Sequence, residues 1–159
     1  MPFLTYRFVE ELAKILKVEQ RQQFDVEDYD GYTPLMLCLA NTRIQEATAL
    51  VEHKFFNPQR KDFYTNFTPL HQCAHIQDEN LLNLLVKNFS NFINEADSNG
   101  NLPIHYAAYY RNNKYVEILL KAKANINAVS KLGNTPLHLS CISFDPSKDH
   151  TSKFEEFLI

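Results

Sequence analysis

Apolar residues recur at helical spacing in five stretches of the chain. Leu4, Phe8, Leu12, Ile15 and Leu16 follow an i, i+4, i+8, i+11, i+12 pattern, with Arg7, Glu10, Glu11, Lys14 and Lys17 on the other faces. That pattern predicts an amphipathic helix. The polar stretch Glu19 to Phe24 after it reads as a loop or a frayed helix end. Four later segments, Ala47 to Val51, Leu81 to Val86, Val116 to Leu120 and Phe154 to Ile159, carry larger apolar residues at helical spacing. Each follows a shorter segment rich in small residues: Cys38 and Ala40, Cys73 and Ala74, Ala107 and Ala108, then Cys141. Small side chains let neighbouring helices approach closely. Neither kind of helix can bury its apolar face alone, so the pattern calls for stacked pairs.

The starts of the short helices are marked by glycine and proline. Gly31-Tyr-Thr33-Pro34, Gly100-Asn-Leu102-Pro103 and Gly133-Asn-Thr135-Pro136 share one frame, and Asn66-Phe-Thr68-Pro69 is a fourth copy with Asn in the glycine place. Asn tolerates a left-handed backbone better than most residues, so all four positions are expected at positive φ. Thr is a good helix N-cap and Pro suits the first helical turn. A polar bend, then Thr-Pro, therefore feeds a helix. Successive Thr/Leu positions lie 35, 34 and 33 residues apart, a period that signals a repeat array.

The copies read Thr33-Pro-Leu-Met-Leu-Cys, Thr68-Pro-Leu-His-Gln-Cys-Ala, Leu102-Pro-Ile-His-Tyr-Ala-Ala and Thr135-Pro-Leu-His-Leu-Ser-Cys, and the third continues to Ala124-Asn-Ile-Asn-Ala128. Period, Thr-Pro-Leu-His core and Asn-Ile-Asn-Ala tail together resemble the ankyrin repeat over about residues 28 to 159. The resemblance implies a mainly α fold, an α-solenoid with short β-hairpin-like turns between repeats. Residues 1–27 would form an N-terminal capping helix and loop, a half-repeat closing the stack. The repeats would span 28–62, 63–96, 97–129 and 130–159, the last truncated and carrying an insertion over Ser143 to Thr151. The longer first interval is ascribed to extra residues around Phe55-Phe-Asn-Pro58. Met36 departs from the family's His, and Leu102 from its capping Thr.

Composition narrows function. The chain has 159 residues, with 16 Lys plus Arg against 19 Asp plus Glu and a net charge of −3. The basic footprint of a nucleic-acid binder is absent. An apolar share of 45% and an aromatic share of 13% exclude a disordered chain. No apolar run approaches the ~18 residues of a membrane span, and the N-terminus lacks the form of a secretory signal. Three cysteines cannot all pair, which favours a reducing compartment. The expected location is the cytoplasm, or a host cell's cytosol for an effector, a reading that the Asn-rich and Phe-rich composition fits. An apolar end at Phe157-Leu-Ile159 reads as the interior of a longer protein, with this chain its N-terminal targeting part.

Two catalytic or metal readings compete with partner binding. His71-x-Cys73-x-His75, with Cys38, Cys141, His105 and His138, offers zinc-ligand types. Their intervals are those of the repeat, which makes a ladder along the stack instead of one tetrahedron. The resemblance gives His71, His105 and His138 a structural task, bonding backbone and Thr hydroxyls between turns. Cys73 beside His71 or His105 lacks an orienting group and an oxyanion hole. The sequons at Asn66 and Asn88 read as accidents of an Asn-rich chain. No catalytic residue, cofactor or metal is expected.

In ankyrin repeats the turn tips and the exposed end of the first helix line a concave face. By that resemblance Tyr29, Tyr32, Tyr64, Phe67, His75, Ile76, Tyr109, Tyr110 and Leu132 form a partner-binding strip. The competing reading is that some of these rings pack between repeats. The implied function is non-catalytic protein recognition by a monomer. A free-standing adaptor and a domain beyond Ile159 that carries catalysis are the alternatives.

Overall fold

The computed structural model describes residues 2–62 and 64–142, with residues 2–6 and Gln22 described by backbone alone. The sequence's expectations for Phe154 to Ile159, for the insertion at Ser143 to Thr151 and for the side chain of Leu4 lie outside the described residues.

Helices α1 (Pro2–Ile15) and α2 (Val18–Arg21) lead into helix pairs. The pairs are α3 (Pro34–Ala40) with α4 (Ile44–Glu52), α5 (Pro69–Gln72) with α6 (Glu79–Asn88), and α7 (Pro103–Tyr109) with α8 (Asn113–Lys121). Helix α9 (Pro136–Ile142) opens a fourth. A 3₁₀ turn over Cys73–His75 extends α5. The first helices α3, α5, α7 and α9 pack in one row, and α1, α4, α6 and α8 in a second. Among the described residues there is no strand.

Local chemistry sets each start. Thr33 Oγ1 accepts from Met36 N–H at 3.3 Å, and Pro34, Pro69 and Pro103 occupy the first helical turn. Leu102 has no acceptor in its side chain, and its own N–H is donated to His105 Nδ1 at 3.0 Å instead. The apolar faces then close on one another. Leu35, Leu39, Leu70, Ile104 and Leu139 are buried in the first row, with Ala47, Leu81, Leu82, Leu85 and Leu119 in the second. Burying one such leucine contributes roughly 1.5–3 kcal/mol.

Buried polar groups stitch repeat to repeat. Asn112 Nδ2 donates to the carbonyls of Ala74 (3.0 Å) and Ile76 (2.6 Å), and Tyr115 OH donates to Leu70 O at 2.7 Å. Each bond reaches back from the third repeat into the second. Unmade, each group would be a buried orphan.

The N-terminal half-repeat departs from the sequence reading in two ways. Its inward stripe is buried Val9 with half-buried Leu12, Ala13 and Leu16, while Phe8 and Ile15 are exposed. Two overlapping apolar stripes exist on this helix, and the one containing small Ala13 allows the closer approach to α4. Secondly, Glu19 to Phe24 is not a plain loop: Val18–Arg21 makes a helical turn and Gln22–Phe24 a 3₁₀ turn. Arg21 explains the order. Its guanidinium donates to Ala13 O (2.5 Å), Leu16 O (3.0 Å) and His53 O (3.0 Å), capping α1 and tying it to the end of α4.

Each repeat opens on a turn closed across its base by a backbone bond. Asp28 N donates to Tyr32 O, Asp62 N to Phe67 O, Asp97 N to Asn101 O and Ser130 N to Asn134 O, all at 2.8–3.0 Å. The second turn holds one residue more than the others, so the residue that lengthens the first interval sits here and not around Phe55 to Pro58. As expected from the sequence, Gly31, Gly100 and Gly133 have φ of 84°, 79° and 78°, and Asn66 shares the region at 55°.

Candidate functional site

The turns and first helices form one side of the stack, and the candidate residues sit on it. An acceptor at the head of each turn holds its shape. Asp28 Oδ1 accepts from Asp30 N–H (3.0 Å) and Tyr32 N–H (2.9 Å), and Asp97 Oδ1 from Asn99 N–H and Asn101 N–H, both at 2.8 Å. Asp62 accepts from Thr65 N–H at 2.8 Å and from its hydroxyl, and Ser130 Oγ from Asn134 N–H at 3.2 Å. Neighbouring turns are joined by Ser98 N to Thr65 O (2.7 Å) and Lys131 N to Asn99 O (2.9 Å). The tip side chains therefore stand on a rigid edge.

Under that edge runs a histidine ladder. His71 Nδ1 accepts from Thr68 N–H at 3.1 Å and lies 2.8 Å from Thr68 Oγ1, while Nε2 is 3.0 Å from Asn101 O. His105 repeats the arrangement with Leu102 N–H (3.0 Å) and Asn134 O (3.1 Å). An Nδ1 that accepts and an Nε2 that donates to a carbonyl define one neutral tautomer. Burial lowers the His71 imidazole to about 4 and lowers His105 as well. His138 accepts from Thr135 N–H at 3.2 Å, within its own turn. His71 and His105 thus make the bonds between turns that the sequence assigned to all three histidines, whereas the described bonds of His138 go to Thr135 alone. Met36 breaks the ladder in the first repeat, where it is a buried apolar residue.

The thiols are placed for packing. Cys73 is fully buried and its thiol is pushed up to about 12; burial raises Cys38 to about 11. Neither supplies a thiolate near neutral pH. Among the described residues, no group of three or more His, Cys, Asp or Glu stands placed to hold a metal ion.

The nine strip residues separate into three sets. Tyr29, Tyr64 and Leu132 are strongly exposed at the turn tips, at 105%, 71% and 78%, and Tyr32 is exposed at 39%. The Tyr64 ring lies beside Gly31, 3.6 Å from where a Cβ would stand, which brings the first two tips together. His75, Tyr109 and Tyr110 are half-buried and joined through Tyr110, with ring centroids 5.8 Å apart for His75 and Tyr110 and 5.2 Å for the two tyrosines. Burial lowers the His75 imidazole and raises the Tyr110 phenol.

Phe67 and Ile76 correct the expectation, because both are buried. Phe67 stacks on His71 (5.0 Å) and meets the edge of Tyr106 (5.2 Å). Tyr106 reaches back from the third repeat and anchors its hydroxyl on Asp97 Oδ2 at 2.5 Å. Burial and that carboxylate raise the phenol far above its ordinary range. Ile76 is held by the Asn112 amide on its carbonyl. Leu37 is 40% exposed although it occupies the place of Tyr106 in the first repeat. Among the described residues no first helix precedes α3 to cover it, a boundary effect that helical periodicity does not signal.

A two-row stack of helix pairs, opened by hydrogen-bonded turns and laced by a Thr-Pro-Leu-His ladder, defines a repeat protein of the ankyrin class. The chain belongs to the ankyrin repeat family: the family model for ankyrin repeats (three copies) matches residues 5–97 and 76–150. Human inversin is 29% identical over 160 residues, covering 80% of this chain and 15% of inversin. An ankyrin repeat protein of monkeypox virus is 28% identical over 132 residues, 79% of this chain and 23% of that one. The phosphocholine transferase AnkX of Legionella pneumophila is 30% identical over 112 residues, 69% and 12% of the respective chains. The chain therefore spans less than a quarter of the length of these relatives. Ankyrin repeats as a class are non-catalytic protein–protein interaction modules. Among the described residues no helix is long and apolar enough to cross a membrane.

Proposed function

We propose that this chain is a non-catalytic recognition module that binds a partner protein through the face of its turns and first helices. One observation carries the reading: that layer is almost free of charge and rich in exposed rings. Charged residues make up 22% of the chain. Within 28–40, 62–75, 97–109 and 130–142 they are Asp28, Asp30, Asp62, Asp97 and Lys131 alone, and Asp62 and Asp97 are buried. Tyr29, Tyr32, Tyr64 and Leu132 stand out at the edge, with His75, Tyr109 and Tyr110 beneath. Aromatic residues with few charges mark the centre of protein interfaces. A net charge of −3 gives no support to a nucleic-acid partner. In the relatives the matched stretch is a fraction of a longer protein, which supports reading it as the targeting part of a larger assembly.

The test uses random 12-residue peptides displayed on phage and panned against the whole chain. Selected peptides should bind the wild type and lose most affinity for the Tyr64→Ala/Tyr109→Ala/Tyr110→Ala variant, since a central aromatic anchor contributes about 2 kcal/mol or more. Thermal melts establish that the variant is folded. Undiminished binding by the folded triple variant overturns the assignment.

A further inference from the structure

The exposed charge of this face is split between its ends. Asp28 and Asp30 lie in the first turn, Lys131 in the fourth, and the turns between expose no charged side chain. The buried carboxylates Asp62 and Asp97 are occupied by backbone N–H groups and hydroxyls of their own repeat. Asp28 and Asp30 are different. Both are exposed, and only Oδ1 of Asp28 serves the turn.

Neighbouring charges do find partners. Glu27, one residue earlier, pairs with Arg60 at 2.7 Å; Lys61 pairs with Glu95 at 2.6 Å and Glu79 with Lys114 at 2.7 Å. The first pair ties the N-terminal cap to the first repeat, and the other two bridge adjacent repeats. Asp28 and Asp30 have no such cation among the described residues. Between them stands the fully exposed ring of Tyr29, with Tyr32 following and Tyr64 lying over the same turn beside Gly31. Carboxylates and phenol faces on one rigid turn share one preferred guest, a planar cation, because arginine forks to carboxylates and stacks on rings.

We propose that the first turn is a receptor for an arginine side chain on an extended partner segment, the remainder of which runs uncharged over His75, Tyr109 and Tyr110. The inference rests on the interface reading above and adds the chemistry and polarity of the ligand: its cation lies at the N-terminal end of the array.

The peptides selected above supply the probe. They should carry an arginine flanked by apolar residues. Arg→Gln in the peptide should weaken binding about tenfold, the sum of one exposed ion pair and one cation–π contact, and Asp28→Asn/Asp30→Asn in the protein about threefold, the ion pair alone. Asn at 28 keeps the oxygen that accepts the turn's N–H groups, so the turn itself is preserved. Combined, the two changes should cost no more than Arg→Gln alone. Peptides that need Tyr109 and Tyr110 yet ignore both the arginine and the two aspartates overturn the receptor while leaving the interface intact. Peptides indifferent to the tyrosines as well overturn both.

Discussion

The Nε2 atom of His71 lies 3.0 Å from the carbonyl oxygen of Asn101, so a side chain of the second repeat closes the turn of the third. With Nδ1 accepting from Thr68 N–H, one imidazole fixes the start of its own helix and its neighbour's turn. Only the neutral ring can do both.

This makes the stack acid-sensitive in a defined window. An unfolded imidazole titrates near 6.5, whereas folded His71 is lowered to about 4 by burial. A lowered histidine contributes its stability in full above the unfolded pKa. The contribution is lost as pH falls from about 6.5 toward about 4, at up to ~1.4 kcal/mol per pH unit. His105, lowered for the same reason, adds to the loss below the same upper limit. Urea melts at pH 7.5, 6 and 5 should show this decline. His71→Met, which copies Met36 of the first repeat, should be less stable at neutral pH but flatter across the window. An unchanged slope in that variant would contradict the assignment.

The glycines of the third and fourth turns separate two effects of one substitution. Both have positive φ, so an added Cβ strains either backbone by about 1 kcal/mol or more. A Cβ at Gly100 would also stand 2.9 Å from Lys131 N, the group that donates to Asn99 O across the turns. At Gly133 nothing lies within 4 Å. Gly100→Ala should therefore cost at least ~1 kcal/mol more than Gly133→Ala in chemical denaturation, because a backbone contact must open. Equal losses would show that φ alone matters here.

These turns were legible because their chemistry is local. Glycine, Asn66, the proline and the Nδ1 side of the ladder histidines act within a few residues of themselves, and the glycine or Asn and the proline recur in all four turns. Burial of Phe67 and Ile76 was not legible, since it depends on Tyr106 and Asn112 arriving from the next repeat. Of the strip, the tips at Tyr29, Tyr64 and Leu132 could be read, because nothing folds over a turn tip. The face of α1 was ambiguous for another reason. Phe8 and Val9 both begin plausible stripes, and the choice is made by Ala13 and by the Arg21 cap, neither of which is marked by apolar periodicity.

A second set of left-handed residues carries no glycine at all. Thr42, Lys54, Arg111 and Lys123 have φ of 52°, 60°, 51° and 68°. Each follows a helix end and sits inside the same pair of bonds. Arg43 N reaches Cys38 O at 2.8 Å while Thr42 N reaches Leu39 O at 3.2 Å, and Ala124 N reaches Leu119 O while Lys123 N reaches Leu120 O, both at 2.9 Å. This is the helix-terminating motif in which glycine is strongly favoured. A left-handed conformation costs a non-glycine residue roughly 1–2 kcal/mol, and the greater entropy of unfolded glycine offsets part of any gain from replacing it. Thr42→Gly and Lys123→Gly should each stabilise the chain by about 0.5–1 kcal/mol, raising the melting temperature by ~2 °C. Thr42 is β-branched and therefore the more strained, though its hydroxyl recovers something by donating to Asn41 O at 2.8 Å. Thermal melts of the two variants against the wild type decide the matter. A drop in melting temperature at Thr42→Gly would mean that the hydroxyl bond outweighs the backbone strain, and a drop at both would mean that no strain is stored at these helix ends.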